Sequence, residues 1–279
     1  MTKIDSTIHT RVYNPEGSIL RRDQKDLLEM LLFVDGVCKE NGIPWWLSSG
    51  TLLGAARHKG FIPWDDDIDI VLLRKDYKKL EKILLDLDSD EYVFQCMKSD
   101  VEYVNTYGKF RKRNGSIQAR TPRHKRYKWK GIGFDIFAIE KTNIAAAWLA
   151  NFFYSKTQRF TRHTRVGWLR RLLIRSIEIF NFILLHPLLR FIGMINPRGE
   201  YHYVLGSGWP SHTFYMKYTF PLSETEFEGV RLPVPKDMDT YLTLVYGDWR
   251  TMPSEEEIQK AIHCQEYRDE ILARDNKCE

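Results

Sequence analysis

The 279-residue sequence predicts an α+β fold: a mixed β-sheet flanked by helices, with a helical insertion and a helical C-terminal part. Three observations carry that expectation. Short apolar runs at 43–47, 67–73 and 132–139 have the length of buried strands; apolar residues recur at helical spacing over 23–40 and 77–87; and residues 152–195 are basic, aromatic and aliphatic with helical character. With 43% hydrophobic and 28% charged residues, the chain can bury a sizeable core.

The elements follow in order. Leu27, Leu28, Leu31, Leu32, Val34 and Cys38 mark a helix over 23–40, stopped by Asn41-Gly42. Ile43 to Leu47 reads as a buried strand, and Ser48 to Thr51 as a turn into a second helix, Leu52 to Lys59, ended by Gly60. A strand from Asp67 to Leu73 leads into a helix from Tyr77 to Leu87, and Ile132 to Ile139 forms another strand. Within 152–195 the longest uncharged run lies between Glu178 and Arg190 and is interrupted at His186-Pro187, short of the ~20 apolar residues a membrane span needs. Further on, a helix is expected near Met238 to Tyr246, and Ser254 with Glu257 gives a capping box for a last helix to about Arg274. The chain therefore divides into an N-terminal arm (1–22), a core (23–140), a basic and apolar helical insertion (141–200) and a C-terminal part (201–279) completing the same domain.

Composition excludes several classes. Four cysteines, Cys38, Cys96, Cys264 and Cys278, show no C-x-x-C spacing, so neither a zinc site nor a disulfide framework is expected. Met1 to Gly17 lacks the apolar centre of a secretory signal, which points to the cytoplasm. Forty-two Lys and Arg against thirty-seven Asp and Glu give a net charge of only +5, but the charge is uneven. No acidic residue lies between Glu102 and Asp135, whereas Lys109, Arg111, Lys112, Arg113, Arg120, Arg123, Lys125, Arg126, Lys128 and Lys130 all do. Without a helix-turn-helix, zinc or RNA-reading motif, this basic segment is not expected to bind nucleic acid.

GFIPWDDDIDIVL, residues 60–72, holds the chemistry. Alternate positions of a strand share a face, so Asp67 and Asp69 converge on one side while Ile68 and Ile70 enter the core. Unpaired, two such carboxylates repel strongly enough for one to take up a proton; a divalent cation removes the conflict. All-oxygen ligands, with no His or Cys in the strand, suit Mg²⁺ or Mn²⁺. Asp135 is the lone charge inside the strand 132–139, and if the two strands are neighbours the three aspartates can hold one or two ions. Upstream, Gly50-Thr51 opens a helix directly after a strand, an arrangement that binds phosphate through free backbone N–H groups. Lys109 and Arg111, at alternate positions, are candidates to neutralise a diphosphate, and Arg57 lies near the end of the Gly50-Thr51 helix. Trp45, Trp46 and Trp64 flank the motif; aromatic faces can cage a quaternary ammonium group, but core packing is favoured for at least two of them.

GTLLGAARHKGFIPWDDDIDIVL resembles the signature of the LicD family of phosphotransferases, related to the fukutin proteins and part of the nucleotidyltransferase-fold superfamily. The resemblance extends to IPWWL, LRKDYKKL, YGKFRKRNGS, GFDIFAIE and FEGVRLPVPKDMDTYLTLVYGDW; Ala138, Glu140 and Ser116 depart from the usual Pro, Asp and Thr. It implies a nucleotidyltransferase-like core over 23–140 and transfer of a substituted phosphate, such as phosphocholine, from a CDP-linked donor to a hydroxyl of a cell-surface glycan, with release of CMP. It further implies that Asp67, Asp69 and Asp135 ligate Mg²⁺ or Mn²⁺ and that Asp135 accepts the hydroxyl proton. By the same resemblance Gly50 and Thr51 would hold the donor phosphate; Arg57, Lys109 and Arg111, read from their own positions, are expected to help bind that donor.

The acceptor glycan could be lipid-linked. Lys156, Arg159, Arg162, Arg165, Arg170, Arg171 and Arg175 precede an apolar stretch, so residues 152–195 are expected either to pack as a helical subdomain or to rest at the inner face of the cytoplasmic membrane. Two alternatives stand beside the transferase reading: a metal-dependent D-x-D glycosyltransferase using a sugar nucleotide, and a non-catalytic binder of acidic glycans.

Overall fold

A computed structural model of the chain describes residues 12–115, 124–163, 166–262 and 264–275. Arg120, Arg123, Arg165, Ser116 and Cys278 lie outside the described residues. The first helix, α1 (Ile19–Asn41), starts four residues earlier than its periodicity indicates. Ser18 sets that start: its hydroxyl accepts the Arg21 N–H at 3.1 Å, and Gly42 ends the helix at φ 61°. Leu20, Leu27, Met30, Leu31, Val34 and Cys38 form its buried stripe.

β1 (Trp46–Leu47) is shorter than the expected 43–47 because Pro44 supplies no N–H for a ladder. Then come α2 (Ser49–His58), β2 (Asp69–Leu73), α3 (Arg74–Leu85), β3 (Tyr92–Gln95), β4 (Gly108–Lys112) and β5 (Gly133–Lys141). The sheet runs in the order β1-β2-β5-β4-β3. β5 pairs parallel with β2 along one edge. Its other edge pairs antiparallel with β4 and, towards its end, with β6 (Tyr201–Tyr203). The sheet is mixed, as expected, with helices around it.

The insertion comprises α4 (Ile144–His163), α5 (Gly167–Ile179), a π-helical turn (Phe180–Leu185) and α6 (His186–Gly193). Here the structure corrects the sequence reading: Pro187 does not interrupt the helix, and Gly167–Gly193 is continuous over 27 residues. The i→i+5 turn before Pro187 re-phases the ladder where proline has no donor and would crowd the carbonyl four residues back.

After β6 come α7 (Met216–Thr219), the hairpin β7 (Ser223–Phe227) with β8 (Val230–Val234), and α8 (Met238–Tyr246). The single last helix expected to Arg274 is two: α9 (Glu255–Ala261), with the capping box in place, and α10 (Gln265–Asp275). The break puts Ile262, in extended backbone, and Cys264 into the core. Trp45, Trp46 and Trp64 are all core residues, at most 7% exposed. The indoles of Trp45 and Trp46 donate to Asp35 and the Tyr241 hydroxyl, so neither belongs to an open cage.

Candidate active site

The sheet register builds the site. Asp69 on β2 pairs with Asp135 on β5, and Asp135 pairs with Lys109 on β4, so carboxylate, carboxylate and ammonium stand in a row across three neighbouring strands. Asp67 precedes β2 and completes the group: one carboxylate oxygen from each of Asp67, Asp69 and Asp135 lies within 4.8 Å of the other two. The expected strand start at Asp67 moves to Asp69, but the Asp135 N–H still donates to the Ile68 carbonyl at 2.9 Å, which holds the turn against β5.

Burial first, and then the carboxylates of Asp67, Asp135 and Asp65, push the Asp69 carboxyl well above the ordinary carboxylate range; Lys109 opposes them. Lys109 Nζ lies 2.6 Å from Asp135 Oδ1. That contact is an ion pair to a buried carboxylate oxygen. One ammonium among three crowded carboxylates leaves a surplus of negative charge, which fits a site for an additional hard cation such as Mg²⁺ or Mn²⁺.

The aspartate turn is held from two helices. The Thr51 hydroxyl, buried near the start of α2, accepts the Asp69 N–H at 2.8 Å and so fixes β2 against α2. Gly50 lies under Asp65: a Cβ there would stand 2.7 Å from the Asp65 carboxylate, so that carboxylate crowds the helix end expected to take phosphate. Gln24 on α1 donates to the Asp65 carbonyl at 2.9 Å.

Arg111 and Lys109 line the same cavity of about 190 Å³ as Asp66, Asp67 and Asp135, together with Tyr103, Tyr107, Tyr127 and Trp129. Arg111 Nε donates to Gln95 at 2.6 Å, and its Nη1 donates to the Gly131 carbonyl at 2.7 Å. Arg57 is placed differently. It lies outside that lining, with Nη2 donating to the Thr251 carbonyl at 2.8 Å and to the Trp249 carbonyl, where it ties α2 to the segment after α8.

Sequence reasoning missed three positioning groups. Gln95 passes from Arg111 to Asp100, donating to Oδ2 at 2.7 Å, and the same oxygen accepts the Lys128 N–H at 2.8 Å, so one buried chain of hydrogen bonds anchors the basic segment over the cavity. Glu228, at the β7–β8 turn, accepts from the Phe61 N–H at 3.1 Å and from Arg21 Nη2 at 2.7 Å, clamping the turn that precedes the aspartates. Its signal in the sequence is the FEGVRLPVP string. Tyr241 on α8 lies 3.1 Å from the Ser48 hydroxyl, beneath the entry to α2.

Residues 42–171 match the LicD/FKTN/FKRP nucleotidyltransferase domain, a stretch containing Asp67, Asp69, Lys109 and Asp135. That site-bearing stretch is LicD-like. It is 26% identical over 258 residues to the lipopolysaccharide cholinephosphotransferase LicD of Haemophilus influenzae, covering 88% of this chain and 97% of that protein. The LicD-type stretch also resembles human ribitol 5-phosphate transferase FKRP, at 42% identity over 57 residues, and mouse ribitol-5-phosphate transferase FKTN, at 38% over 63. These two matches cover only 12% and 13% of the relatives' lengths and 20% and 23% of this chain.

Proposed function

We propose that this protein transfers a substituted phosphate from a CDP-linked alcohol to a hydroxyl of a cell-surface glycan, releasing CMP. The observation that carries the reading is the row Asp69–Asp135–Lys109 with Asp67 beside it, of which Asp67, Asp135 and Lys109 line a cavity together with Arg111 and several aromatic rings. The named activities of the LicD, FKRP and FKTN relatives support phospho-alcohol transfer.

Asp67, Asp69 and Asp135 would hold Mg²⁺ or Mn²⁺. When bound, the ion neutralises charge on the phosphoryl oxygens and lowers the pKa of a nearby hydroxyl. Lys109 and Arg111 bring two fixed positive charges to the diphosphate and to the charge that develops on the departing CMP. Asp135 accepts the proton lost by the glycan hydroxyl as its oxygen bonds to phosphorus and the bond from phosphorus to CMP breaks. Tyr103, Tyr107, Tyr127 and Trp129 exclude water and offer ring faces to a quaternary ammonium; the Lys128 ammonium already sits 4.3 Å from the centre of the Trp129 ring.

The test is to incubate purified protein with Mg²⁺, a crude glycan and CDP-choline, CDP-ethanolamine, CDP-glycerol or CDP-ribitol in turn. CMP release that needs both glycan and one of these donors, and is lost in Asp69→Asn, supports the reading. Release of nucleoside diphosphate from a sugar nucleotide, with no CMP from any CDP-alcohol, replaces it with a glycosyltransferase.

A further inference from the structure

The insertion leaves a large apolar face uncovered. Trp168, Leu172, Ile183, Leu188, Phe191 and Ile195 are each 56–75% exposed, and Trp148 and Phe152 on α4 are 54% exposed. Single exposed apolar residues are ordinary, but a continuous run of them along one helix is not. Only 17% of the most apolar 18-residue window of Gly167–Gly193 is buried.

Three features say what covers this face. First, residues 141–200 hold ten Lys or Arg against two Glu, so the insertion is far more basic than the chain's net charge of +5. Pairing the face with a second copy of itself would bring two strongly basic surfaces together, whereas an anionic surface neutralises them. Second, a cavity of about 430 Å³ between α3 and the insertion is lined by five Lys or Arg, among them Arg74, Lys78 and Arg190, against two carboxylates, Glu81 and Glu178. There Glu140 is the buried carboxylate for Arg190, at 2.6 Å, and for Arg74, at 3.5 Å, and Lys78 is held below its usual pKa first of all by Arg74. A surplus of positive charge therefore sits beside the apolar face, an arrangement suited to lipid phosphate.

Third, the helix cannot cross a bilayer while it remains docked. Arg170 near its start binds Glu102 at 2.5 and 3.2 Å, and Arg190 near its end binds Glu140 at 2.6 and 3.1 Å. Ile174, Leu185 and Leu189 are buried between these two ties. Crossing would break both ion pairs and strip those residues from the core, so the helix lies along the domain with its outer side facing away.

We infer that the outer face of α5, the π-turn and α6 docks the protein onto an anionic phospholipid bilayer, with the helix parallel to the surface and its exposed apolar side chains in the acyl boundary. Tyr154 on α4 donates to Asn105 at 2.9 Å, and Asn105 lines the aspartate cavity, so the insertion touches the rim of that cavity.

Flotation of the full chain tests this, using phosphatidylcholine vesicles with and without phosphatidylglycerol. Wild type is expected to float with the anionic vesicles at low salt and to remain behind with neutral ones. The double variant Ile183→Ser, Phe191→Ser should lose at least ~10-fold in partitioning, with thermal unfolding unchanged because both side chains are exposed. Asp69→Asn should float like wild type, which separates docking from the proposed reaction. Wild type left in the soluble fraction with anionic vesicles at low salt overturns the inference. So does light scattering that shows a wild-type dimer converted to a monomer by the double variant, which assigns the face to a second copy.

Discussion

Asp69 and Asp135 are register partners across the parallel β2–β5 pair, so backbone pairing alone holds two carboxylates side by side on one face of the sheet. That arrangement costs folding energy whenever both are ionised without a sufficient counter-charge. Asp69 has its carboxyl raised well above 3.8 by burial and by its acidic neighbours, so the folded state binds its proton more tightly than the unfolded chain does. Its contribution to stability is present below the unfolded value and is lost as pH rises through the raised folded one.

In chelator-treated protein, Asp69→Asn should therefore raise the melting temperature at neutral pH, and the gain should shrink towards pH 4, where the native carboxyl is protonated. Adding Mg²⁺ should stabilise wild type and leave the variant nearly unchanged. Thermal unfolding across pH, with and without Mg²⁺, measures both effects.

Lys109→Met removes the ammonium next to Asp135. Loss of one cationic contact to a transferring phosphoryl group should lower kcat/KM for CMP release by roughly 100-fold. With Mg²⁺ present to neutralise the aspartates, urea unfolding should shift by much less than that loss implies. An equal loss of stability and activity would make Lys109 a folding residue only.

Glu228→Ala takes away a charge-assisted partner of Arg21 and the acceptor of the Phe61 N–H. A cost of about 2 kcal/mol is expected in urea unfolding. Activity should fall further than the unfolded fraction explains, because the released turn leads into the aspartates.

Gly54→Ala tests how closely α2 approaches the following loop. A Cβ there would stand 2.5 Å from the Gly60 carbonyl oxygen and 3.0 Å from the Ile62 nitrogen, both backbone atoms that cannot rotate away. Destabilisation of roughly 1–3 kcal/mol should follow, despite alanine's better helix propensity.

Much of this site was legible because its chemistry breaks local rules. Asp135 inside an otherwise apolar strand, and D-x-D at the mouth of another, are expensive unless something holds them together, and that expense is visible in sequence. What was not legible depends on register and distance. Nothing local announces that Lys109 falls opposite Asp135, that Arg57 turns to carbonyls almost two hundred positions away, or that Gln95 and Asp100 relay Arg111 to Lys128. The continuity of the helix through Pro187 was hidden for a different reason: a π-turn is a backbone solution that composition does not encode. The early start of α1 at Ser18 rests on one capping hydroxyl outside the apolar periodicity.

β5 carries Asp135 near one end and, five residues on, Glu140, the anchor for Arg190 at the other. These residues are about 17 Å apart along a strand, laddered to β2 on one edge and to β4 and β6 on the other, so the segment between them behaves as a stiff rod. A pull on the insertion at Arg190 would therefore run lengthwise, with little bending, to the carboxylate among the aspartates, and the helix that leans outward and the Asp69–Asp135 pair are joined by one strand.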